Sequence, residues 1–307
     1  MNVDLLQESG LTELKNYDSG SDCISFHDGR NRLFLRHVHS PHPPQDAKIT
    51  VSGNLEPRSP LPVLSSHRRV DCSFKRGTVV MGFLRNFLKS GYRDGTASNT
   101  TSSFRNLTEE QLEAHMSIAQ YGDFLLTDAI RPAYCPQIVP RAGYRHEWYV
   151  DQETRARIPV LMASVSREQL FDAFLSMLEP LGETVDVVLE TSHDKNHGNH
   201  ADFYREQIDM PVLQSILYDY ENLLLDDGCC GIAVLNPGMP LEVQLDEHKL
   251  LFAYGNRNVR CEQALRAGGI PLIEDMRFIT EAEHVHSSSE EFQEQFHELC
   301  GRLGMDR

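Results

Sequence analysis

The histidines are the residues of this chain best suited to chemistry, and they fall in two groups. His193, His197 and His200 crowd the segment TSHDKNHGNHAD, which also carries Asp194 and Asp202. Neutral imidazoles beside a carboxylate are a donor set for zinc and other borderline divalent metals. Gly198 and the asparagines argue for a loop here, so the spacing permits convergence without enforcing it. His284 and His286, in EAEHVHSSS, are two residues apart, and in an extended segment both side chains point the same way. If the groups meet, His193, His197, His200, His284 and His286 make up the ligand set. Glu283 or Asp202 would then take a proton from metal-activated water. The plainer alternatives are a solvated loop and a polar connection whose serines cap the next helix.

The first group must be positioned by TVDVVLE, which reads as a buried strand running straight into the histidine loop. In a parallel sheet that loop would leave the C-terminal end, where open α/β sheets place their ligands. Other chemistry is poorly represented. GxGxxG, P-loop and GxSxG patterns are all missing, so no cofactor is expected beyond a divalent transition metal such as zinc. Arg141, Arg145, Arg155 and Arg157 form a basic patch that reads as hairpin surface charge. Cys229 and Cys230, where CGIAVL begins, read as small core residues.

Thr108 and Gln111 form a capping-box pattern opening a helix that carries Leu112, Met116, Ile118 and Ala119 and runs through Gly122. HEWYV and RIPVLMASV flank the polar turn DQETRA and predict a hairpin. Ser166 and Gln169 repeat the capping-box pattern ahead of Leu170, Phe171, Phe174, Leu175 and Leu178, which recur at helical spacing. After TVDVVLE and the histidine loop, Asp209 and Pro211 open a long helix, apolar from Val212 to Leu224 and stopped by Gly228. CGIAVL reads as a strand covered on both sides, and LEVQL and LLFAY as a second hairpin across DEHK. A short helix over 259–267 ends at Gly268-Gly269, MRFIT is the last strand, and Ser288 with Glu291 caps a final helix. This order predicts an α/β (or α+β) fold with a mixed sheet of about five to seven strands and helices packed on its faces. The central strands should be parallel neighbours joined by right-handed crossovers.

Charge divides the chain. The net charge is −16, yet from Met1 to Arg105 Lys and Arg number 14 against 10 Asp and Glu, and from Asn106 onward 15 against 35. Residues 1–105 are rich in Ser, Pro, His, Asp and Arg, with RNRLFLRHV as their one short apolar island. They are expected to form a disordered, basic extension and linker. At Met81 the pattern shifts to helix-like spacing of Phe83, Leu84, Phe87 and Leu88, which marks it as a candidate start of the native chain. Residues 106–307 are expected to form a single acidic domain. Such a surface repels phosphate backbones, so nucleic acid is not an expected partner. No run reaches the roughly 18 apolar residues of a membrane helix, so no membrane partner is expected. The 7 cysteines show no CxxC spacing, which fits a reducing, cytoplasmic setting.

Two functional readings stand. The first is a non-catalytic binding or regulatory protein whose acidic surface and sheet edge meet another protein, a reading favoured by the missing enzyme motifs. The second is a metal-assisted hydrolase built on the histidine loop. The identity of the protein partner and the oligomeric state are not set by the sequence.

Overall fold

The computed structural model describes residues 12–14, 23–27, 33–37, 103–104, 107–150, 155–193, 201–256 and 258–305. Strands β1 (Thr12–Leu14), β2 (Cys23–His27) and β3 (Leu33–His37) come first. β3 falls within the apolar island RNRLFLRHV. Apart from these strands and residues 103–104, the expected extension, including Met81 as a start, lies outside the described residues.

Helix α1 (Glu109–Met116) opens on a formed capping box. Gln111 N donates to Thr108 Oγ1 at 3.2 Å, and Thr108 N donates to Gln111 Oε1 at 3.0 Å. The helix does not run through Gly122. That glycine takes φ +61°, which a helix interior does not use. It turns β4 (Gln120–Tyr121) into β5 (Phe124–Leu125) instead. Strand β6 (Ile130–Pro132) follows, and then the expected hairpin of β7 (Gly143–Val150) and β8 (Arg157–Ser164). Helix α2 (Arg167–Leu178) buries Leu170, Phe171, Phe174, Leu175 and Leu178. Its expected capping box does not form, because Ser166 Oγ accepts from Leu125 N at 3.0 Å and so pins β5.

Strand β9 (Thr184–Thr191) is TVDVVLE lengthened by Thr191. The chain then returns as β10 (Ala201–Asp209), antiparallel to β9 with a bulge between Arg205 and Ile208. Helices α3 (Met210–Asp219) and α4 (Glu221–Asp226) share the long apolar stretch, with a break at Tyr220. Strands β11 (Cys230–Leu235), β12 (Glu242–Leu245) and β13 (Leu250–Tyr254), then α5 (Val259–Ala267), fall where the sequence puts them. MRFIT is not a strand. Met276 and Phe278 anchor it against the sheet and Ile279–Glu281 forms a 3₁₀ turn. The strand comes later, as β14 (His284–Ser288), followed by α6 (Glu290–Arg302).

The main sheet has seven strands in the order β10-β9-β11-β12-β13-β8-β7. The α/β class and the strand number agree with the sequence reading. The expected parallel neighbours do not, since every pairing in this sheet is antiparallel. The physical reason is β10: the chain reverses into it after β9 and only then enters α3 and α4, so the expected helical crossover starts from β10 and β11 runs antiparallel to β9. One face of the sheet packs on α2 to α6 through residues such as Leu161, Val187, Ile232, Val243 and Leu251. The opposite face packs Val160, Leu250 and Phe252 on Met276 and Phe278. A second sheet, β1-β2-β3-β14-β6, places β14 between β3 and β6. No helix among the described residues is long and apolar enough to cross a membrane.

Glu242, on β12, faces away from the helices and is only 5% exposed. Burial pushes its carboxyl from the ordinary 4.5 up to about 8. Between those values the folded chain holds a proton that the unfolded chain has released, so Glu242 makes stability fall as pH rises. Glu242→Gln, which keeps the shape and cannot ionise, should raise stability at pH 8 by at least about 1 kcal/mol and have little effect near pH 4. Urea unfolding at both pH values checks this. An unchanged difference between the two would refute it.

Candidate metal centre

One end of the main sheet gathers three pieces of chain. These are the end of β9 with Thr191 to His193, the start of β11 with Asp227 to Cys230, and the β12–β13 turn, Asp246 to Lys249. The pairings Cys230↔Thr191 and Ile232↔Leu245 put them side by side. Strand β14 lies across this end. Its alternation sends His284, His286 and Ser288 to one side, and these side chains are 0%, 1% and 4% exposed.

Gly228 makes the close approach possible. Its N–H donates to Ser287 O at 2.7 Å, and Ser287 N donates to Ala129 O at 2.8 Å. A Cβ on Gly228 would overlap the Ala129 carbonyl oxygen and lie 2.8 Å from Ser287 O. The backbone of β14 therefore sits directly on the Asp227-Gly228-Cys229 turn.

His248, in the middle of the DEHK turn, meets the two β14 histidines. Its ring centroid is 5.1 Å from that of His284 and 4.7 Å from that of His286, which are 5.2 Å from each other. One ligand atom from each lies within 4.8 Å of the others, and all three residues are buried. Each ring has its Nδ1 engaged. His248 Nδ1 donates to Asp246 Oδ2 at 2.8 Å, His284 Nδ1 to Ala282 O at 2.8 Å, and His286 Nδ1 to Gly228 O at 2.6 Å. A carboxylate or carbonyl on Nδ1 selects the tautomer whose Nε2 carries the lone pair, the usual support of a metal-bound histidine. The turn is itself held by Asp246, whose Oδ1 accepts from His248 N at 3.0 Å and Leu250 N at 2.8 Å. Lys249, at φ +60°, donates from Nζ to Cys230 O at 2.9 Å. Burial opposes protonation of His248, but Asp246 and Glu247 outweigh it and hold its pKa above the ordinary value.

A second group adjoins the first through Gly228. His193 Nε2 lies 3.0 Å from Asp227 Oδ2, and its Nδ1 lies 2.6 Å from Thr191 Oγ1. Cys229 completes a trio whose ligand atoms are within 4.8 Å of one another. Burial alone would raise Asp227, but the neighbouring His193, with Lys249, brings it below the ordinary carboxylate value. Burial, reinforced by Asp227, pushes the Cys229 thiol up. Ser192 Oγ donates to Glu247 Oε2 at 3.2 Å. Ser289, rather than Ser288, caps α6 by accepting from Phe292 N at 3.2 Å, and Ser288 Oγ is buried without a hydrogen bond.

The structure thus brings His284 and His286 together, but with His248, and gives His193 the partners Asp227 and Cys229. His197 and His200 lie outside the described residues. Asp202 sits on β10, where Tyr204 donates to it at 3.1 Å. Glu283 precedes β14 and accepts from Ser103 N at 3.1 Å. Neither carboxylate belongs to the two buried groups. Sequence reasoning passed over His248, Asp246 and Asp227, and read Cys229 as a small core residue. The available signal was charge inside apolar runs: DEHK separates two buried strands, and Asp226-Asp227 separates an apolar helix from an apolar strand. No family model, curated protein or solved structure matches this chain.

Gly228→Ala should destabilise the fold by about 1–3 kcal/mol through overpacking. Gly301→Ala is the contrasting variant, because a Cβ there meets nothing within 4 Å and α6 should gain about 0.5–1 kcal/mol. Urea midpoints of the two variants should move in opposite directions.

Proposed function

We propose that this protein is a metal-dependent hydrolase in which His248, His284 and His286 hold a divalent transition metal such as zinc. The observation that carries the reading is three buried imidazoles converging from two sheets with each Nδ1 already engaged. Three histidines leave a fourth position for water on a zinc ion, and such an ion brings bound water to a pKa of about 7. Glu247, next to His248 and also buried, is the carboxylate placed to take the proton. A small cavity bounded by Leu126, Arg141, Val165 and Phe278 reaches His248 and Lys249. Cys135, Cys229, Cys230, Cys261 and Cys300 are free thiols, which supports a reducing, cytoplasmic setting.

The near-complete burial of His284 and His286 favours a second reading. There the ion would clamp β14 to the sheet end of a non-catalytic binding protein, and the partner would be another protein.

Metal analysis of protein purified without a histidine tag should find at least one equivalent, and His286→Ala should lower it by one. Asp246→Asn, which loosens the support of His248, should weaken zinc affinity by about 10–100-fold. Chelation should abolish turnover of 4-nitrophenyl esters and added zinc should restore it. Metal-free wild-type protein would end both readings. A metal whose removal lowers only the melting temperature, with no ester turnover at any stage, would support the second.

A further inference from the structure

We infer that His193, Asp227 and Cys229 form a second metal site, of thiolate type and separate from the tri-histidine group. The three residues come from the end of β9, the end of α4 and the turn before β11. They offer an imidazole, a carboxylate and a sulfur, a mixed set that suits a thiophilic divalent ion such as zinc or cobalt. Their ligand atoms lie within 4.8 Å of one another. The 3.0 Å between His193 Nε2 and Asp227 Oδ2 approaches the separation of two ligands on a tetrahedral ion with bonds of about 2.0–2.1 Å. The side chains of His193 and Asp227 are 6% and 0% exposed.

Each ligand is held in place by a neighbour. Thr191 Oγ1 sits at 2.6 Å on His193 Nδ1, which directs Nε2 inward. Cys229 N donates to Asp227 Oδ1 at 3.2 Å, so Oδ2 is the oxygen that faces the imidazole. Ser192 N donates to Cys229 O at 2.8 Å, which holds the backbone that carries the sulfur. These are the outer-shell supports that metal ligands use.

His193 Nδ1 sits on Thr191 Oγ1. Its Nε2 and Asp227 Oδ2 are 3.0 Å apart, buried, and without a hydrogen bond to any group. Two buried ligand atoms left in this way are what a bound ion would satisfy. The thiol proton leaves to solvent as the metal–sulfur bond forms, and Nε2 and Oδ2 turn from each other to the ion.

Cobalt(II) titration of the full chain, first stripped by chelation, tests this. The wild type should take up a second equivalent beyond the tri-histidine one and develop a near-ultraviolet thiolate-to-cobalt band. Cys229→Ser should lose that band and one equivalent while keeping the visible absorption of the tri-histidine site. His193→Gln should shift the midpoint of the band by at least about tenfold, and it carries the test if Cys229→Ser fails to fold by circular dichroism. Cys135→Ser and His286→Ala should both retain the band. Absence of a thiolate band in the wild type, or a band that survives Cys229→Ser, overturns the inference and leaves the tri-histidine reading untouched. A thiolate band without the visible absorption lost in His286→Ala removes that reading and leaves the inference standing.

Discussion

The hydrogen bond from Gly228 N to Ser287 O, 2.7 Å long, is the contact on which the rest of the molecule turns. It joins the two sheets backbone to backbone, at a separation that only a residue without a Cβ allows. Once β14 is seated there, its alternation presents His284, His286 and Ser288 to the end of the main sheet. His286 returns the contact by donating to Gly228 O. The register of β14 is fixed on both sides by β3 and β6, so neither histidine can slip to the other face without breaking two ladders.

That seating buries an unusual concentration of polar groups. Thr191, Asp227, Asp246, Glu247, His248, Lys249, His284, His286 and Ser288 are all under 9% exposed. Buried polar atoms are tolerated when each is hydrogen-bonded, and much of the local geometry serves that end. Asp246 takes two backbone N–H groups and the His248 ring, and Lys249 adopts a left-handed backbone and reaches Cys230 O. Charge, however, does not balance. Asp227, Asp246 and Glu247 face one Lys, and the imidazoles are most useful as ligands when neutral. A divalent cation would offset this excess, and low-dielectric surroundings make such compensation matter more than at the surface.

How much of this was legible depended on range. Thr108 with Gln111, CGIAVL and the two hairpins were readable because capping, burial on both faces and turn chemistry are set within a few residues. The shared direction of His284 and His286 was readable from strand alternation. β10 was not, since ADFYREQID is an edge strand with most side chains exposed and shows no apolar alternation. Its absence from the reading turned an antiparallel hairpin into an expected parallel crossover. MRFIT has the composition of a strand but spends its large side chains anchoring the second face. His248 was passed over because a polar turn between two strands is ordinarily solvated, and only the long-range arrival of β14 buries it.

The segment LLLDDGCCGIAVL shows how finely position sorts chemistry from structure. Its acidic doublet splits: Asp226 takes a bidentate pair from Arg167, at 2.6 and 3.1 Å, and an N–H from Asp128, while Asp227 turns to His193. Its cysteine doublet splits as well. Cys230 joins the core beneath the helices, and Cys229 brings its sulfur within 4.8 Å of ligand atoms of Asp227 and His193. Asp226 closes α4 and Asp227 follows it with an extended backbone, while Cys229 ends the turn and Cys230 opens β11, so the change of backbone within each pair decides which member is structural and which can act. The glycine between the doublets holds that change in place, because its missing Cβ lets the turn lie against β14. A composition that reads as two redundant pairs is in fact two assignments, made by the backbone contact at Gly228.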